Sequence, residues 1–150
     1  MKAFALLMII GVLFSSCQKS DRESNEESGV SNLAQKELMY YSNGKKLYTV
    51  LCTNCHTDEG EGLGRLIPPI RKSDYLMADL GRTAKIIKYG QRGPITVNGI
   101  AYNQPMPGNP KLTNLEIAEL ITYISNSWGN SAKGVTIDDV KNALKEKTIN

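Results

Sequence analysis

Cys52-Thr53-Asn54-Cys55-His56 is the stretch on which the reading of this chain turns. Residues three apart on a helix share a face, so the two thiols can address one edge of a flat ligand. The imidazole that follows at once is then placed to reach a metal at the ligand's centre. His56 is the only histidine in the chain, and there are three cysteines. A zinc site of four cysteines, or of two cysteines and two histidines, cannot be built from that stock. Three cysteines allow one bridge at most, which excludes a disulfide scaffold. A thioredoxin-like redox pair needs a βαβ setting, and no such pattern surrounds Cys52. A site using every cysteine would have to recruit Cys17 from beyond a long polar stretch.

The spacing C-x-x-C-H meets the rule for covalent attachment of a c-type haem. Cys52 and Cys55 would form thioethers to the two vinyl groups of one heme c, and His56 would bind the iron. A second axial ligand must come from elsewhere, and methionine is the remaining soft donor. Met1 and Met8 fall in residues 1–16, which read as a signal peptide that is removed, and Met39 lies upstream of the haem motif. Met77 sits in Ser73-Asp74-Tyr75-Leu76-Met77, a segment that could simply pack on the core. Met106 lies in Asn103-Gln104-Pro105-Met106-Pro107-Gly108. Prolines on both sides fix φ and remove backbone donors, so this loop is stiff and non-helical. A stiff loop can hold a thioether against iron at low entropic cost, and His/Met is a standard axial pair. Met106 is the expected ligand.

Around this centre the chain has 150 residues, 41% hydrophobic and 22% charged, enough for one ordinary domain. Eighteen basic against 15 acidic residues leave a net charge of +3, with no nucleic-acid footprint. Residues 1–16 read as a signal peptide: Lys2, then an apolar run from Ala3 to Phe14, then Ser15 and Ser16. The run Leu-Phe-Ser-Ser-Cys ending at Cys17 resembles the lipobox of bacterial lipoproteins, with Phe14 where that pattern usually has Leu. It implies lipidation of Cys17 and export to a membrane facing the periplasm or the cell surface. An ordinary secretory signal is the plainer alternative. Residues 17–37 are too polar to offset the entropy of ordering and read as a flexible tether.

Helical patterns follow. Leu47, Tyr48, Leu51 and Cys55 predict a helix over about 43–55. A short one is expected over 82–89, bracketed by Gly81 and Gly90. The clearest places Ile117, Leu120, Ile121, Ile124 and Trp128 on one face, with a Thr113–Glu116 capping box and Gly129 as a stop. Residues 131–150 form a C-terminal extension with a helix over about 137–147, weakly capped by Thr136 and Asp139. Strand signals are limited to a possible ribbon over 95–101. The fold class is therefore all-α, with three to four helices and long loops wrapped around one covalently bound haem. Lys85 and Lys88, near Arg82 and Arg92, are either a docking face or a solvated helix side.

Residues 38–130 resemble the small bacterial monohaem class I cytochromes c. The resemblance rests on the C-x-x-C-H motif, on Gly44 and Tyr48 ahead of it, and on Leu120 and Tyr123 as their partners on the last helix. The run from Leu112 to Asn130 is similar to cytochrome c domains that accompany periplasmic dehydrogenases, nitrite reductases and terminal oxidases. The resemblance implies that the Pro68 carbonyl accepts a hydrogen bond from His56 Nδ1. It also puts Pro68, Ile70 and Tyr102 in the haem pocket or just behind it. It implies electron transfer rather than catalysis: a carrier or relay subunit between redox complexes, such as a quinol-oxidising complex and a terminal oxidase, reductase or dehydrogenase. The alternative is a small-ligand sensor or peroxidase-like enzyme, which needs an open iron and a general acid or base.

Overall fold

Gly44 decides how closely two helices can lie. A computed structural model of the protein describes residues 30–31 and 33–145. Cys17, the expected signal segment and the chain beyond Lys145 lie outside them. Helix α1 (Gln35–Leu51) crosses α5 (Asn114–Ile124) at this glycine. A Cβ at Gly44 would stand 2.0 Å from the Glu119 carbonyl oxygen and 2.8 Å from Tyr123 Cβ. The buried stripe of α1 is Tyr41, Gly44 and Tyr48, at steps of three and four that suit a helix face. Asn43 Nδ2 donates to Glu119 Oε1 at 2.9 Å and ties the same crossing.

This stripe differs from the expected one. Of Leu47, Tyr48, Leu51 and Cys55, only Tyr48 is buried. The helix breaks at Cys52, whose backbone leaves helical geometry (φ −120°), and a separate turn α2 (Thr53–His56) carries Cys55 and His56. The expected tether through residue 37 also gives way at its end, because α1 begins at Gln35. Glu37 anchors that start: its carboxylate accepts from Ala34 N at 2.7 Å and from Gly134 N at 3.0 Å.

Two more helices follow: α3 (Asp74–Ala78) and α4 (Leu80–Tyr89). Ser73 caps the first by accepting from Leu76 N, and Asp79 caps the second by accepting from Arg82 N. Strands β2 (Ile95–Val97) and β3 (Ile100–Tyr102) form the expected ribbon, with Ile95 opposite Tyr102. Asn98 and Gly99 make its turn with φ of 50° and 76°, the positive angles a two-residue hairpin requires. A second ribbon was not foreseen: β1 (Gly90–Gln91) pairs with β4 (Met106–Pro107). The described residues thus hold six helices and two ribbons, beyond the three to four helices expected. The extra helices, α2 and α3, are too short to show a period.

Helix α5 is the spine, buried from Ile117 to Ile124. Thr113 and Glu116 make the expected capping box. The helix stops at Ile124 rather than running to Trp128. Asn126 Nδ2 donates to the Thr122 carbonyl and Ser127 Oγ to the Tyr123 carbonyl, side-chain bonds that compete with helical backbone geometry. Trp128 then turns at φ 54° and Gly129 at 89°. The extension returns to the core. Val135 N donates to Thr122 Oγ1, and Val140 of α6 (Ile137–Lys145) is fully buried. Thr136 and Asp139 cap α6 reciprocally. Among the described residues no helix is long and apolar enough to cross a membrane.

Candidate haem site

A cavity of about 320 Å³ opens between α2, α4, α5 and the two proline-bearing loops. Its wall is overwhelmingly apolar. Ile86 and Ile87 come from α4, Ile95 and Val97 from the hairpin, and Leu120 and Ile124 from α5. The four residues expected to hold the haem, Cys52, Cys55, His56 and Met106, all line it. So do the three expected around them, Pro68, Ile70 and Tyr102. Met77 is not in the wall; it packs, half-buried, against the core cluster. Met39 is exposed on α1.

The loop from Thr57 to Arg71 positions His56. Its ring is buried, and Nδ1 lies 3.2 Å from the Pro68 carbonyl oxygen. A carbonyl only accepts, so Nδ1 donates and Nε2 keeps its lone pair. Burial lowers the His56 pKa, against a smaller opposing effect of the Pro68 bond. The imidazole is thus held neutral, the form that binds metal. The loop is folded tightly enough to fix Pro68. Gly62 N donates to the His56 carbonyl, and the Gly60 carbonyl accepts from Ile70 N and Arg71 N. A Cβ at Gly62 would meet the Ile67 carbonyl oxygen at 2.3 Å. An Arg71–Glu61 ion pair at 2.6 Å closes the outside. Asn130 Nδ2 donates to the Ile70 and Ile124 carbonyls, fastening the loop to the end of α5.

Aromatic rings stand behind the motif. Tyr48 packs against Tyr123 and Trp128 with centroids 5.4 and 5.1 Å away. Its hydroxyl donates to the Thr57 carbonyl at 2.7 Å. This fixes the chain just past His56, where Thr57 adopts a left-handed φ of 64° that costs a β-branched residue energy. Cys52 and Cys55 are not joined in a disulfide. Burial, with Cys55 adding, pushes the Cys52 thiol up to about 11. Two thiols beside a neutral imidazole and a thioether, gathered on one apolar cavity, are a donor set that fits a covalently bound haem.

Two cations of α4, Lys88 and Arg82, make contacts within the chain. Lys88 Nζ donates to the carbonyls of Pro110 and Leu112. Arg82 lies over the Tyr75 ring at 3.8 Å and donates to the Tyr75 carbonyl. The cavity walls supplied by α4 and the hairpin were not foreseen as such. Their apolar residues were visible in sequence, but which face they turn to the cavity depends on tertiary placement.

Residues 41–128 match the family model described as cytochrome c. The chain is 29% identical over 101 residues to the alcohol dehydrogenase (quinone), cytochrome c subunit, of Gluconobacter oxydans (strain 621H), across 65% of this chain and 21% of that protein. It is 32% identical over 100 residues to the protein of the same description from Komagataeibacter europaeus, with the same coverage. It is 28% identical over 109 residues to the gluconate 2-dehydrogenase cytochrome c subunit of Pantoea cypripedii, across 71% of this chain and 25% of that protein. The chain spans about a fifth to a quarter of the length of these relatives.

Proposed function

The chain belongs to the cytochrome c family, and on that premise we propose that it transfers single electrons through one heme c bonded to Cys52 and Cys55 and ligated by His56 and Met106. It is an electron-transfer component, not a catalytic enzyme, like the cytochrome c subunits it resembles. When bound, the haem supplies a one-electron iron couple. The protein's own part is to hold both axial donors still in a dry pocket. Pro68 keeps His56 in one tautomer and one ring plane, which tunes a metal-bound imidazole. A methionine ligand raises the potential relative to nitrogen or anionic donors. His56 and Met106 together would leave a bound iron no open position for substrate, which speaks against the sensor or peroxidase-like alternative. Exit to a high-potential acceptor and entry from a quinol-side complex or a dehydrogenase would suit such a centre. Lipidation at Cys17 would hold it to a membrane facing the periplasm or cell surface.

The observation that carries the reading is that Met106, and neither Met77 nor Met39, lines the cavity shared by Cys52, Cys55 and His56. The ferric protein should show the weak long-wavelength charge-transfer band of a sulfur–iron bond. Met106→Ala should abolish it, lower the potential and open the iron to carbon monoxide in the ferrous state. Met77→Ala should leave all three unchanged. Loss of the band in Met77→Ala, or ready carbon monoxide binding by the unaltered protein, would overturn the assignment.

A further inference from the structure

The Met106 loop is fastened to the last turn of α4 at several points. Gly90 pairs with Pro107 and Gln91 with Met106. The two backbones touch: a Cβ at Gly90 would stand 2.6 Å from the Met106 carbonyl oxygen, and one at Gly108 would stand 2.5 Å from the Tyr89 carbonyl carbon. Asn109 N donates to the Ile87 carbonyl at 2.8 Å. Past this ribbon the chain runs through Pro110, which has no N–H to donate. There the fastening is a side chain. Lys88 Nζ donates to the Pro110 carbonyl at 2.8 Å and to the Leu112 carbonyl at 2.7 Å.

We propose that Lys88 is a positioning residue that latches the Met106 loop shut and so sets how often the methionine sulfur leaves the iron. The inference rests on Met106 being the axial ligand. Ribbon pairing alone covers two residues on each strand, too little to be stable by itself. The ammonium adds two charge-assisted bonds to carbonyls downstream of it. The same carbonyls lead directly into the Thr113 cap of α5, so the latch joins the ligand loop to two helices at once. Removing Lys88 should therefore alter ligand lability.

The test uses the ferric holoprotein mixed with cyanide, following loss of the sulfur–iron band. Lys88→Leu keeps the apolar stem and removes the donors. The band should be present before mixing, and cyanide should bind about tenfold faster than in the unaltered protein, the scale expected from losing bonds to a charged group. Lys111→Gln removes an equal charge from the same loop, and Thr136→Ala weakens the distant α6 cap. Both should bind cyanide at the unaltered rate. An unaltered rate in Lys88→Leu, or equal acceleration in Thr136→Ala or Lys111→Gln, would overturn the latch while leaving Met106 ligation standing. If the unaltered protein binds cyanide as fast as Met106→Ala, the ligation itself fails and the latch with it.

Discussion

Single residues carry different kinds of information here. Cys52, Cys55 and His56 stand out because the haem-attachment rule has a fixed spacing, whatever surrounds it, and the structure gathers them on one cavity. Met106 stands out because its two prolines announce a stiff loop in local sequence, and the structure puts it on the same cavity. Lys88 does not, since a lysine reaching carbonyls 22 and 24 residues away leaves no local pattern. Gly44 lies between these cases. Its position ahead of the motif marked it, but only the crossing shows why no side chain is allowed. A methyl group there would collide with the backbone of α5 at Glu119, and backbone cannot swing aside as a side chain can. Gly44→Ala should therefore destabilise the holoprotein by about 2 kcal/mol or more, the range of overpacked cores. Denaturant unfolding would measure it, and a loss under half a kcal/mol would mean that the helices separate freely.

Elements begin and end where side chains satisfy the backbone. The capping boxes of α5 and α6 were legible because both partners lie within four residues. The break of α1 at Cys52 and the stop of α5 at Ile124 were not, because they answer to tertiary demands: placing His56 over Pro68, and folding Trp128 back on Tyr48. The two caps also have a pH signature. Bonds from Thr113, with burial opposing and Lys88 helping, hold the Glu116 carboxyl below its usual range; Thr136 does the same for Asp139. A carboxyl depressed in the folded state stabilises it above the unfolded pKa, about 4. That contribution is lost as pH falls through the lower folded value. Thr113→Ala should cost about 1 kcal/mol at neutral pH. It should also flatten the fall in melting temperature below pH 4. The backbone N–H of residue 113 still donates to Glu116 in that variant, so the flattening is partial, and an unchanged acid slope would show that the Thr113 hydroxyl plays no part in lowering the Glu116 carboxyl.

At the scale of the whole molecule, one core joins α1, α4, α5 and the returning extension, so residues 131–145 are part of the domain rather than an appendage. Sequence could not show this, because Val135 and Val140 are isolated apolar residues whose partners lie far along the chain. The N-terminal anchor is a separate matter. If Cys17 carries acyl chains, Cys17→Ser should move the cytochrome from the membrane to the soluble fraction; two or more chains hold firmly, whereas one binds only marginally. Unaltered protein found soluble without detergent would refute the anchor. The aromatic cluster at the centre has a further consequence. Trp128 is the chain's only tryptophan, and its ring lies 5.1 Å from that of Tyr48, itself part of the cavity wall. The protein thus has one indole emitter set against the pocket of a strongly absorbing pigment. Folded and loaded with haem, it should be nearly dark in fluorescence. Any opening that carries Trp128 away from the pocket turns the light on, so the molecule reports its own unfolding without a label.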